Sequence, residues 1–335
     1  MKYVTDIYFT REYGELCALA EEGEVSEFHY EDEIGEISYL FLKRPIYANG
    51  LFTGDYDIVS PYGYGGPVIR FLREPEHKDT LVAGYEKAFE TYCAENHIVS
   101  EFVRFHPLVN NAPDFLKVMN VQYNRHTVGT NVADFEDPVA AECSKSCRKH
   151  IRQCLNKGIS FQVVRGVKDL SRFKEIYYST MERNQATDYY YFDDSYFKKC
   201  VEYFGDDLVT VEAFYDDPEK GRIVIAMNLC FVSGDFLHIH LSGTLQEYLY
   251  LSPAYILRYG LILWAKENGI KYIHHGGGRS SSEEDPLYLF KKQFGVHTSF
   301  DFYIGRRICN EKRYEELCKM MGKPIDTDFF PAYRA

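Results

Sequence analysis

Between residues 142 and 304 helical and extended hydrophobic patterns alternate, with a turn signal at nearly every junction, and this succession constrains the fold more than any other feature. Cys143, Cys147, Ile151, Cys154 and Leu155 recur at helical spacing up to Gly158, which predicts a helix over 142–157. Ile159 to Val164 reads as a strand. Leu170, Phe173, Ile176, Tyr177 and Thr180 form the stripe of a second helix that Asp169 can cap, and Asp193 or Asp194 opens a third that ends at Gly205. Strands at Leu208–Tyr215, Ile223–Val232 and Phe236–Leu241 are separated by Asp216-Asp217-Pro218 and Ser233-Gly234-Asp235, which predicts an antiparallel meander. Ser252-Pro253 begins a long helix to Asn268. A strand at Lys271–His275, the triplet Gly276-Gly277-Gly278, a helix at Glu283–Phe294 and a strand at Thr298–Ile304 complete the run.

A chain of 335 residues has room for about two domains. Its first half is plainer. A strand is expected over Glu36–Ile46, a helix over Leu81–Asn96, and strands over Ser100–Phe105 and Val121–Val132. Ser60 to Pro67 is a tight loop of tyrosine, glycine and proline; its role is not legible, and nearby Asp55 and Asp57 read more simply as turn residues than as sugar ligands. These features predict a degenerate sheet-and-helix domain over 1–141, joined by a returning tail over 305–335 with a short helix at Glu311–Met321.

Hydrophobic residues make up 45% and charged residues 26%, which excludes a largely disordered chain. The longest nearly uncharged apolar run, Tyr259 to Ala265, is far too short to span a membrane, and the N-terminus lacks a signal-peptide core. A cytoplasmic protein without an integral membrane segment is therefore expected. Most of the net charge of −12 lies in residues 1–40, which argues against duplex DNA as a partner there. The nine cysteines contain no CxxC pair and no histidine at finger spacing, so free thiols and no metal site are expected. The 29 tyrosines suit either amphipathic surface packing or a cleft that grips sugars or bases.

From the strand at Ile159 onward the order is β-α-α-β-β-β-α-β-α-β, that of the GNAT acyltransferase fold, whose sheet splays between its fourth and fifth strands, here Phe236–Leu241 and Lys271–His275. Three stretches sharpen the resemblance: Ser144 to Arg152 running into Lys157-Gly158-Ile159; Tyr177 to Asn184; and Leu237 to Thr244 with Leu251-Ser252-Pro253, His275 to Gly278 and Leu287 to Gly295. In these the chain resembles the FemAB-like branch of the GNAT superfamily, the peptidoglycan-bridge aminoacyltransferases and BioF2-like relatives. The resemblance implies an α/β (α+β) fold of tandem GNAT-like domains, each a mixed, mostly antiparallel sheet flanked by helices. It also implies a lysine near the reacting ester, matched by Phe290-Lys291, and an arginine that holds the acceptor's diphosphate, matched by Arg183. No long heptad segment is present, so the family's coiled-coil arm is not expected.

Each of these residues also has a plainer reading. Lys291 and Lys292 are adjacent, so one flanks the Leu287, Phe290, Phe294 stripe and the other faces water. Arg183 can simply complement a helix end, though its planar fork suits phosphate. Tyr189, Tyr190 and Tyr191 beside it suit a nucleotide-sugar or a mixed core and surface segment. Lys145, Arg148, Lys149, Arg152 and Lys157 form a basic helix face, solvated or in contact with RNA or phosphate. Gly276, Gly277 and Gly278 are not a GxGxxG motif, but allow backbone to approach a ligand closely. His238 and His240 share a strand face without a third metal ligand; His274 and His275 are candidate acid or base groups and more simply packed histidines. His240, Ser242, Tyr288 and Phe290 complete the expected substrate-binding set.

One departure concerns the donor. GNAT enzymes that use acyl-CoA place a glycine-rich turn before the long helix, where backbone amides hold the pyrophosphate. Here that place reads Gln246 to Pro253, with no glycine after Gly243, an acid at Glu247, and a proline that lacks an amide. The expectation is an acyltransferase that moves an aminoacyl group from charged tRNA onto an amine of a nucleotide-linked or lipid-linked cell-envelope precursor, with no cofactor required. The alternative is an acetyl-CoA-dependent transferase acting on an amino sugar or similar small amine. A non-catalytic binding module is the third reading, and Phe290-Lys291 with Arg183 counts against it.

Overall fold

The computed structural model describes residues 6–335, which divide into two compact units. Unit 1 comprises the chain up to Asn124 together with Asp301–Ala335; unit 2 is Arg125–Phe300. Unit 1 begins with α1 (Arg11–Ala18), which Thr10 caps by accepting from the Tyr13 amide. It continues through β1 (Glu24–Glu31), β2 (Gly35–Ala48), β3 (Leu51–Val59), β4 (Val68–Leu72), α2 (Lys78–Glu95) and β5 (Ile98–Arg104).

Unit 2 takes in the second half of β6 (Asn120–Asn131), followed by α3 (Pro138–Glu142), α4 (Lys145–Asn156), β7 (Ser160–Arg165), α5 (Ser171–Arg183) and α6 (Asp194–Phe204). The meander β8 (Leu208–Asp217), β9 (Gly221–Ser233) and β10 (Phe236–Thr244) follows, then α7 (Ala254–Glu267), β11 (Tyr272–Gly276) and α8 (Pro286–Lys292). The chain returns to unit 1 through β12 (Ser299–Ile308) and α9 (Glu311–Met320).

Each unit holds a mixed sheet in which one recorded strand pair is parallel. In unit 1 the order is β1-β2-β3-β5-β12 with β4 also on β2; β3 and β5 are parallel and are joined through α2. In unit 2 the order is β6-β11-β10-β9-β8-β7; β10 and β11 are parallel and are joined through α7. A parallel pair needs a long crossover, and a helix laid on the sheet supplies it. This repeated strand–helix–strand device makes the units tandem versions of one architecture. Among the described residues the longest helix is α2, with 18 residues, and no helix is long and apolar enough to cross a membrane.

In unit 1, α2 lays Leu81, Val82, Tyr85, Phe89 and Cys93 against Ile37, Tyr39 and Phe41 of β2. The segment Asp301–Ala335 packs within unit 1. Tyr333 donates to Asp57 at 3.2 Å, and Arg334 and Arg44 pair with the same buried carboxylate at 2.5 and 2.7 Å. Asp55 pairs with Arg313 of α9 at 2.8 Å. Both aspartates are therefore tie points of the fold and not sugar ligands. The Tyr62–Pro67 loop is a packed turn: Asn111 donates to the carbonyls of Gly65 and Pro67, both at 2.9 Å.

Two boundaries differ from those the sequence suggests. The expected closing strand of the second domain, Thr298–Ile304, is the start of β12, whose Ile304–Ile308 pair with β5 in unit 1. Unit 2 instead takes its sheet edge from β6, paired antiparallel to β11 through Val128–Asn131. Alternation alone does not say which sheet a strand joins. The helix expected over 283–294 is shorter because Asp285 caps it, accepting from the amides of Leu287 and Tyr288.

Candidate active site

In unit 2, β10 and β11 are paired over three positions, Phe236 with Tyr272, Leu237 with Ile273 and His238 with His274. Beyond these, β10 bulges between Ile239 and Leu241, and β11 breaks register with β6 between His274 and Gly276. The sheet therefore opens after His238 and His274, at the splay expected from the sequence.

The loop that leaves β11 is fixed from three sides. Gly276 takes φ +74°, the left-handed region that favours glycine. Asp285 accepts from the amides of Arg279 and Ser280 at 3.0 and 2.9 Å through one oxygen, and from Leu287 and Tyr288 through the other. These hydrogen bonds hold its carboxyl at about 2. A Cβ on Gly278 would lie 2.6 Å from Asp285 Oδ1, so only glycine fits. Arg125 donates to the carbonyls of Gly278 and Ser280, both at 2.9 Å. Arg125 and Asp285 were not legible as site residues; a cap signal at Asp285-Pro286 was the available clue.

Lys291, on α8, donates from Nζ to the Gly277 carbonyl at 2.6 Å. Burial, followed by the nearby charge of Arg258, lowers its amine from 10.5 to about 7, against the opposing pull of Asp285. Lys292 is half-buried too, and burial lowers its amine as well, so it does not simply face water. His275 is buried, and its Nε2 lies 2.8 Å from Thr130 Oγ1, which donates to the Phe294 carbonyl at 2.6 Å. Because that hydroxyl proton is committed, the His275 bond requires the Nε2–H tautomer. Burial, with Arg258 and Lys291 nearby, pushes the His275 imidazole well below its ordinary value. His275 is thus neutral and packed, the plainer of its two readings.

The other expected residues are dispersed. Gly277 and Gly278 lie in the loop just described, and Phe290 packs under Arg258. Tyr288 is half-buried on α8. Ser242 is half-buried on β10, paired with Asn228 of β9. His240 stands at the β10 bulge, 2.6 Å from the Tyr196 hydroxyl, and burial lowers its imidazole to about 3. Arg183 ends α5 and donates to the Thr244 carbonyl at 3.0 Å. Tyr190 is exposed, with its carbonyl accepting from Tyr177, and Tyr191 packs edge-on against Tyr178. On α4, Lys145, Lys149 and Arg152 are exposed. Arg148 differs: it binds the carbonyls of Ala140 and Cys143 and secures the end of α3.

The turn before α7 is internally bonded. Ser252 adopts φ +57°, and the amides of Tyr255, Ile256 and Leu257 donate to the carbonyls of Ser252 and Pro253. Glu247 is held by Lys220 at 3.0 Å, and Tyr248 donates to Asp217 at 2.9 Å. First-turn amides that elsewhere bind anions are therefore engaged here.

Residues 141–284 match the model of the acetyltransferase (GNAT) domain family. No curated protein sequence matches the chain. Among solved structures, FemX is 14% identical with a TM-score of 0.69, covering 94% of this chain and 95% of that one. The C-terminal domain of a putative lysylphosphatidylglycerol synthetase from Agrobacterium fabrum is 11% identical with a TM-score of 0.56, covering 88% and 87%. A tandem GNAT protein from the clavulanic acid biosynthesis pathway is 8% identical with a TM-score of 0.50, covering 88% and 87%. These likenesses establish the fold. Together with the domain match within unit 2, they give the chain a tandem GNAT-like fold in which residues 141–284 are similar to the acetyltransferase (GNAT) domain.

Proposed function

We propose that unit 2 transfers an aminoacyl group from charged tRNA to an amine of a nucleotide-linked or lipid-linked cell-envelope precursor. The observation that carries this reading is Lys291, a half-buried amine at the mouth of the splay with a pKa of about 7. Near neutral pH both of its protonation states are populated, which suits proton transfer in either direction.

The acceptor amine attacks the ester carbonyl. The C–N bond forms, and the carbonyl electrons move onto oxygen. Protonated Lys291 donates a hydrogen bond to that oxyanion. The C–O bond to the ribose then breaks, Lys291 gives its proton to the departing ribose oxygen, and, neutral at that point, it accepts the proton that the attacking nitrogen loses. Positioning of the two substrates supplies much of the remaining acceleration. Arg183 and the tyrosines beside it are the proposed contacts for the acceptor, and Lys145, Lys149 and Arg152 for tRNA phosphates.

An ester donor is favoured over an acyl-CoA because the amides of Tyr255, Ile256 and Leu257 at the α7 turn are engaged by backbone carbonyls. Calorimetric titration with acetyl-CoA is the first test. Micromolar binding would overturn the donor assignment and favour N-acetylation of an amino sugar or similar amine. The second test is transfer from mixed charged tRNA, in which Lys291→Ala is expected to lose turnover at least 100-fold while remaining folded.

A further inference from the structure

Several buried polar groups of unit 2 are not explained by the role of Lys291. Arg258 is 4% exposed, with its guanidinium carbon 4.8 Å from the Phe290 ring centre and 5.5 Å from that of Phe294. Its Nη1 makes one long bond, 3.5 Å, to the Ala254 carbonyl, and its Nε has no partner. The groups that favour its charged form are Cys230, Cys147 and Tyr255, none of them a carboxylate. An ion removed from water without a counter-ion is costly, and stacking on aromatic rings offsets only part of that cost.

Two further orphans belong to the same side of the sheet. The His275 ring is 6.0 Å from that of Phe294, and its buried Nδ1 has no partner. Asn228 is wholly buried on β9, two positions before Cys230 and so on the same strand face. Neither Oδ1 nor Nδ2 of its side chain has a partner. Native interiors rarely leave such groups unmatched without a reason.

We infer that Arg258, backed by Asn228, forms a subsite for a carboxylate beside Lys291, an inference that rests on the transferase reading of unit 2. The guanidinium presents a planar fork to a planar, singly charged group, and the Asn228 amide adds a donor. The carboxylate belongs either to the transferred acyl group, as in an acidic aminoacyl chain, or to the acceptor.

The test uses the full chain with sodium succinate, sodium L-aspartate and, at matched ionic strength, sodium chloride. Succinate or aspartate is expected to raise the melting temperature saturably, and chloride is not. Arg258→Met is expected to melt at or above the wild type without ligand, because an unpaired ion is replaced by an apolar chain, and to weaken the carboxylate response at least tenfold. A wild type with no carboxylate response overturns the subsite, as does an Arg258→Met variant that responds like wild type. Should that variant not fold, Arg258→Lys keeps the charge without the fork; about tenfold weaker binding is then expected, and unchanged affinity overturns the proposal. Aspartyl-tRNA against alanyl-tRNA, and an acceptor carboxylate against its amide, distinguish the two sources. Absence of all transfer with carboxylate binding intact would remove the proposed reaction and leave the subsite standing.

Discussion

Lys291→Met tests the electrostatics of the candidate site without substrate. The amine is lowered from 10.5 to about 7 by burial and then by Arg258. At about 1.4 kcal/mol per pH unit, that fall corresponds to roughly 5 kcal/mol of unfavourable charging in the folded state. Between pH 7 and 10.5 the unfolded chain holds a proton at this position that the folded chain has released. Stability therefore rises with pH across that window, and the full penalty is present below it. Methionine matches the length of the chain and carries no charge. It loses the hydrogen bond to Gly277, worth about 1.5–3 kcal/mol for a charged donor, so at pH 7 the variant is expected to be the more stable protein. The gap between the two should narrow by about 2 kcal/mol from pH 7 to 9. For a unit of this size that is about 4–8 °C in the difference of melting temperatures. Melts of both proteins from pH 6 to 10 measure it, and NMR of the labelled lysine gives the pKa directly. A difference that stays flat from pH 7 to 9, or a lysine that titrates near 10.5, would refute the reasoning.

Other outcomes follow from the same contacts. Asp57→Ala leaves Arg44 and Arg334 facing each other without the carboxylate that joins them, and denaturant titration is expected to show a loss of about 3 kcal/mol. Gly278→Ala forces a methyl against Asp285 Oδ1, and its melting temperature and transfer rate should both fall, whereas Gly221→Ala, at an open turn, should spare the transfer rate. Asp285→Asn should melt below wild type at neutral pH. Because the carboxyl is held at about 2, its stabilisation is full above about pH 4 and is lost as pH falls toward 2, so the two melts should converge there.

Much of unit 2 was legible because its local signals agree. Asp193 caps α6 as its side-chain chemistry requires, whereas α8 begins at Pro286 behind the Asp285 cap and not at Glu283. The meander turns lie where the Asp-Pro and Gly-Asp signals fall, and the splay between β10 and β11 opens at the expected strands. The first half was harder to read. The helix α1 and the strands β1, β3 and β4 were not legible; along β3, exposed residues at one end give way to three consecutive buried ones at the other, so the alternation that marks a strand is missing.

The sequence by itself determined the element order, the caps and the absence of a glycine-rich turn before α7, since each depends on the conformational preferences of a few neighbouring residues. Tertiary structure decided which sheet β6 and β12 join, because pairing partners lie far apart in the chain and a strand's own residues do not name them. It also decided the chemistry of the site. The pKa of Lys291 depends on Arg258 and Asp285 and on burial, and the partners of Arg258 depend on what four separate elements bring around it. A charge responds to everything within several ångströms, and only the folded chain sets those neighbours.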